Sequence, residues 1–190
     1  MKRYKVIVYQ LTRPISYLFL KHPAGKVYNW IIPLILTVIS LAILVFLTEI
    51  IDVVGENGLV ENLTDFVISL PGFLITALAA IATFNRPIID QEMIDAPTIN
   101  IKAGNTELED QALTRRDFLL RLFSFLTVDS IFLIIYAKVG SIASVPSFLE
   151  TQYHIAEWVF AGIFITIFWQ LLTLLLFGMY YLCERLNLNI

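Results

Sequence analysis

Thiols and imidazoles are almost missing from this 190-residue chain: Cys183 is the only cysteine, and His22 and His154 are the only histidines. One cysteine forms no intrachain disulfide and no thiolate cluster, so a disulfide framework is excluded. Charge is scarce too, at 15% of residues, where ordinary soluble domains carry about 25%. The first 28 positions hold no acidic residue at all. Also absent are an HExxH pair, a GxSxG elbow, a phosphate-binding glycine loop and any close pair of histidines. No catalytic residue, cofactor site or metal site is expected, and the chain is read as non-enzymatic. The basic N-terminus lacks the interleaved aromatics of a nucleic-acid platform, so no direct nucleic-acid binding is expected.

What the chain has is long apolar runs. It is 58% hydrophobic, with a mean hydropathy of +0.77. Uncharged stretches cover 27–48, 66–85, 122–136 (broken only by Asp129) and 158–183. A crossing helix needs ~20 mostly apolar residues for a hydrocarbon core of roughly 30 Å. Three runs reach that length unaided. The third reaches it if it starts near Phe118, with Arg121 snorkelling to the interface. The first run is too long for a signal-peptide core and is expected to stay in the mature chain. The longest polar segment, 86–117, is shorter than the ~40 residues below which isolated domains need metals or disulfides. The fold class expected is therefore an all-α membrane protein, a single domain of four transmembrane helices over 27–48, 66–85, 118–138 and 158–183.

Basic residues concentrate in cytoplasmic segments, and that bias orients the chain. Segment 1–28 carries six basic residues, the acidic loop 49–65 none, and the segment after the second crossing carries Arg86, Lys102, Arg115, Arg116 and Arg121. Segment 138–157 carries one, Lys138, and the tail 184–190 carries Arg185. Both termini and 86–117 are accordingly expected in the cytoplasm of a cell with this protein in its inner membrane. Residues 4–22 put Tyr4, Ile7, Val8, Leu11, Ile15, Leu18 and Phe19 on one helical face, with Ser16 away from it. Lys2, Arg3, Lys5, Arg13, Lys21 and Lys26 are the expected lipid-headgroup contacts, each worth ~1 kcal/mol near anionic lipid. A short strand at 6–9 followed by a surface helix from Pro14 to Lys21 fits equally well.

Within the crossings, the polar residues stand out. Asp129 lies midway along the third, where a carboxylate costs several kcal/mol unless paired, protonated or hydrated. Ser124, Thr127 and Ser130 are within two turns of it. Gln170, Thr166, Thr173, Thr37 and Ser40 are its candidate partners, or the same residue of another subunit. Asp129, Gln170, Thr127 and Ser124 form the gating candidate, against a plain packing role. Thr37 and Ser40 are expected to bond back to their own helix. Gly72, Thr76, Ala80 and Thr83 make a small-residue face suited to close helix packing or an oligomer seam. Pro71-Gly72 should kink or break that helix. Trp158 and Tyr180-Tyr181 are expected as interfacial anchors, and Phe160, Phe164, Phe168 and Trp169 as a core or lipid-facing stripe.

The central polar segment has its own order. Residues 97–102 are expected as a strand with no obvious mate, which makes Thr98, Ile99, Asn100, Ile101 and Lys102 a candidate docking edge for a partner. Thr106 and Glu109 look like a capping box that opens a helix over 107–121.

Two function classes follow. One is an oligomeric sensor or scaffold that couples an envelope event to a soluble cytoplasmic partner. The other is a small oligomeric ion channel or holin-like pore, with Asp129 near the permeation path. The layout (basic 1–26, crossing pairs 27–48/66–85 and 118–138/158–183, and 86–117 facing the cytoplasm) resembles the membrane subunit of the Kiwa anti-phage defence system. The resemblance covers the whole chain at the level of architecture. It implies a homo-oligomer that senses phage attachment and holds a soluble DNA-binding partner at the inner membrane, without catalysis.

Overall fold

Lipid leaves a backbone no partner but itself, so long apolar runs become helices. The computed structural model describes residues 7, 11–20, 25–48, 50–83, 85, 87–91, 98–103, 106–142 and 150–185. Four helical stretches in it are long and apolar enough to cross a membrane: Val27–Leu47, Leu59–Thr83, Arg115–Ser141 and Ile155–Cys183. The chain thus has the helical architecture of a multi-pass membrane protein.

The first span opens with a π turn, Val27–Ile31, and continues as α1, Ile32–Leu47. Pro33 sits just past that π turn and offers no N–H to the carbonyl four residues back, that of Asn29, which accepts from Gln170 instead. The helix stops at Thr48, which turns extended and returns its hydroxyl to the Leu44 carbonyl at 2.8 Å. Thr48 then leads to α2, Ile50–Val54, and a tight turn at 55–58 follows. There Asn57 takes a positive φ of 59°, and its N–H donates to Glu61 Oε2 at 2.7 Å. The second span is α3, Leu59–Ile68, plus α4, Leu70–Thr83. The break between them falls at Ser69, just ahead of Pro71, as the Pro-Gly pair foretells. The stretch 49–65, expected as a loop, is therefore largely helical. Its acidic residues did not prevent this, because Glu61 lies in the first turn of α3, where the dipole favours negative charge.

A 3-10 turn, Pro87–Asp90, leads to a two-stranded antiparallel hairpin, β1 Thr98–Ala103 and β2 Thr106–Ala112. The third span, α5, runs Arg115–Ile142. The fourth, α6, runs Glu150–Tyr180 and ends in a π turn, Tyr181–Arg185.

The core forms around α5. It packs against α3, α4 and α6, and against a 3-10 helix at Arg13–Phe19. Leu119, Leu122, Leu126 and Leu133 are fully buried along it, and Phe164, Leu171 and Leu174 answer from α6. Of the expected aromatic stripe, Phe164 and Phe168 are core, whereas Phe160 stacks on Tyr136 at 4.7 Å. Tyr181 is a correction: it is not an interfacial anchor but a buried ring 5.5 Å from Phe118. Tyr180, its neighbour, is exposed.

The N-terminal segment also departs from expectation. Pro14 lies in the first turn of the 3-10 helix, but that helix buries Ser16 and Tyr17, while Phe19 at its end and Leu11 ahead of it face outward. Ser16 is not on the outer face because Arg121 donates to its Oγ at 2.9 Å. Tyr17 packs between Phe118 and Phe125, at 6.0 and 5.6 Å. Its phenol donates to Asn29 Oδ1, and burial pushes that hydroxyl's pKa up, so it stays a donor. Lys2, Arg3, Lys5 and Lys21 lie outside the described residues, as does all of 6–9 except Ile7, which is helical.

Candidate functional site

Asp129 stands about 21 Å along α5 at 1.5 Å per residue, near mid-span. It is only 9% exposed, and its Oδ2 meets no hydrogen-bond partner among the described residues. None of its candidate partners within the chain hydrogen-bonds to it. Thr37 returns to the Pro33 carbonyl at 2.8 Å, and Thr166 to Gly162 at 2.7 Å. On its own helix, Thr127 bonds the Phe123 carbonyl at 2.8 Å and Ser130 the Thr127 carbonyl at 2.9 Å. The reason is local: a helix offers each hydroxyl a carbonyl one turn back, with no neighbour needed.

Ser40 and Gln170 do reach across helices, but elsewhere. Ser40 Oγ accepts from the Trp169 indole at 2.9 Å, tying α1 to α6. Gln170 donates to the Asn29 carbonyl at 3.0 Å, tying α6 to the π turn of the first span. Ser124 lines a separate cavity with Arg13 and Arg121. No hydrogen bond joins the members of the gating candidate Asp129, Gln170, Thr127 and Ser124 to one another. Among the described residues no group of His, Cys, Asp and Glu could hold a metal ion.

The small-residue face is real but points outward. Gly72, Thr76, Ala80 and Thr83 are all exposed, and a Cβ at Gly72 would meet nothing within 4 Å. Leu74 and Ile81, on the other side of α4, are the buried ones. The face does not serve packing inside this chain.

The hairpin end of the packet carries the most developed polar geometry. β1 and β2 pair from Thr98↔Ala112 to Ala103↔Thr106, with an irregularity between Ile99 and Ile101. The strand at 98–102 thus has a mate, contrary to expectation, and no helix begins at 107. Gly104-Asn105 between the strands is the two-residue hairpin signal that locates this pairing. The capping box lies eight residues beyond the expected one. Thr114 Oγ accepts the Asp117 N–H at 3.1 Å and donates to Asp117 Oδ2 at 2.9 Å, which starts α5 just past β2.

No family model matches the chain, and no curated protein or solved structure matches it.

Arg116 completes the arrangement. Its Nε and one terminal nitrogen grip both oxygens of Asp90, at 2.6 and 3.1 Å. The other terminal nitrogen donates to the Ile81 and Ala82 carbonyls, at 2.8 and 3.0 Å. Those carbonyls belong to the last turn of α4, which has no intrahelical donor left to satisfy them. The hydrogen bond from Arg116 holds the Asp90 carboxyl below the usual carboxylate range. Beside it, the Arg115 N–H donates to the Gln91 carbonyl at 3.1 Å. One guanidinium so fastens the end of α4 and the turn at Pro87–Asp90 to the start of α5. Nothing in the local pattern marked Arg116 or Asp90, because their partnership spans 26 residues.

Proposed function

We propose that the protein is a non-enzymatic, oligomeric scaffold and sensor of the inner membrane, which presents hairpin 98–112 to a soluble cytoplasmic partner. Both termini and the hairpin face the cytoplasm in this reading, on the strength of the basic bias of 1–28 and 86–121. The observation that carries it is the place of the hairpin in the chain: β2 ends at Ala112 and α5, the helix at the centre of the packet, begins at Arg115. A disturbance of α5 in the membrane reaches the hairpin through that short connection. The outward face of Gly72, Thr76, Ala80 and Thr83 supports a seam between copies. The resemblance to the Kiwa membrane subunit supports the same reading, with phage attachment as the stimulus and a DNA-binding protein as the partner.

The test replaces 98–112 with a glycine-serine linker and compares what co-purifies from native membranes. A soluble protein that is enriched with the wild type, lost with the linker variant and kept by Asp129→Asn is the expected result. Full retention by the linker variant overturns the reading. A Thr76→Cys chain in a Cys183→Ser background should crosslink to a second copy, and failure to do so removes the seam.

Asp129 favours a second reading. A buried carboxylate oxygen without a donor at mid-span suits an ion or proton path. Flux through proteoliposomes that disappears with Asp129→Asn would establish it in place of the scaffold. The scaffold predicts no flux in either protein.

A further inference from the structure

Between the 3-10 helix Arg13–Phe19 and the first two turns of α5 lies a cavity of about 330 Å³. Arg13 and Arg121 bring two guanidinium groups to it, Ser16 and Ser124 two hydroxyls, and Pro14 and Leu120 an apolar side. We infer that this cavity binds the phosphate of an anionic phospholipid headgroup.

Guanidinium suits that ligand for three reasons. It stays charged at any physiological pH, it is weakly hydrated, and its planar fork matches the spacing of phosphate oxygens. Two of them on separate elements, one on the N-terminal helix and one on α5, form a cleft rather than a single surface charge. Arg121 is already aimed, since its terminal nitrogen donates to the buried Ser16 at 2.9 Å. That bond uses an acceptor pair of Ser16 and leaves the hydroxyl hydrogen for an oxygen in the cleft. One carboxylate, Asp117, also lines the cavity. It accepts the Thr114 hydroxyl as part of the α5 cap.

The position fits a lipid. Arg121 lies about 9 Å along α5 from Arg115 at 1.5 Å per residue, at the level where headgroups give way to acyl chains. Leu11, just ahead of the N-terminal helix, and Phe19, its last residue, are 74% and 72% exposed and suited to lie among those chains. The inference rests on the membrane reading above and is independent of the hairpin's role.

The test titrates the full chain in detergent with phosphatidylglycerol, phosphatidylcholine and inorganic phosphate, with lipid adducts counted by native mass spectrometry. Phosphatidylglycerol should bind in preference to phosphatidylcholine. Arg13→Gln and Arg121→Gln should each weaken it about tenfold, the loss of one charge-assisted contact. Ser124→Leu fills the cavity without removing charge and should weaken it similarly. Should Arg121→Gln fail to fold for want of the Ser16 bond, the other two variants decide, provided their melting matches wild type. Equal binding of phosphatidylglycerol by wild type and variants overturns the inference. Inorganic phosphate that displaces the lipid, with no preference between the two lipids, overturns the headgroup assignment and gives the cleft to the free anion. The linker variant of the hairpin should bind lipid unchanged, which separates this result from the fate of the scaffold reading.

Discussion

The first span and α5 are both apolar enough to cross a membrane, yet they live in different surroundings. Half of the α5 window (50%) is buried against protein, against 11% for the first span. The first span carries Val38, Phe46 and Leu47 outward, while α5 holds Asp129, Thr127 and Ser130 inside. The less apolar helix is the central one. In water the opposite sorting holds, but lipid is as oily as leucine, so burial there follows polar and close-packing groups rather than oiliness.

That contrast can be broken by substitution. Leu126→Ala, at a fully buried position of α5, should cost about 2–5 kcal/mol. Val38→Ala, 65% exposed on α1, should stay within about 0.5 kcal/mol. Melting of the two variants in the same detergent checks the pair, and similar losses would erase the distinction. Gly140→Val comes next: an added Cβ there falls on the Phe160 ring and displaces it from Tyr136, at about 1–3 kcal/mol. Trp169→Phe sharpens the comparison from the other side. It removes the indole bond to Ser40 that ties α1 to α6, and should cost about 0.5–1.5 kcal/mol by the same assay.

The smallest effect expected is that of pH on the Arg116 joint. The Asp90 carboxyl has a lowered pKa in the folded chain, chiefly from its hydrogen bond to Arg116. Its contribution is therefore complete above the unfolded carboxylate value of about 3.9 and is lost as pH falls through the lower folded value. Hydrogen-exchange protection at 81–91, taken relative to the intrinsic rate at each pH, should hold from pH 7 to 5 and fall below 4. Arg116→Ala should show low protection that does not change over that range.

The four spans were legible because hydropathy alone specifies them, and the strand at 98–102 because β-branched residues alternate there. Their neighbours were not. The second strand was hidden by Thr106 and Glu109, which imitate a cap that Thr114 and Asp117 provide. Acidic residues at 49–65 suggested a loop, although Glu61 suits a helix start. Thr37 bonds back to its own helix as expected, whereas Ser40 takes the Trp169 indole from another. Which hydroxyl turns back on its own helix and which crosses to another depends on rotation of packed helices. In lipid both faces of a helix are apolar, so no periodicity in the sequence records that rotation.

The Arg116 joint also acts as a staple between two spans. One guanidinium pins the last turn of α4 to the first turn of α5, so the second and third crossings share an end. Neither can slide lengthwise past the other without tearing that fork from the two carbonyls, and at this end the pair travels as one body.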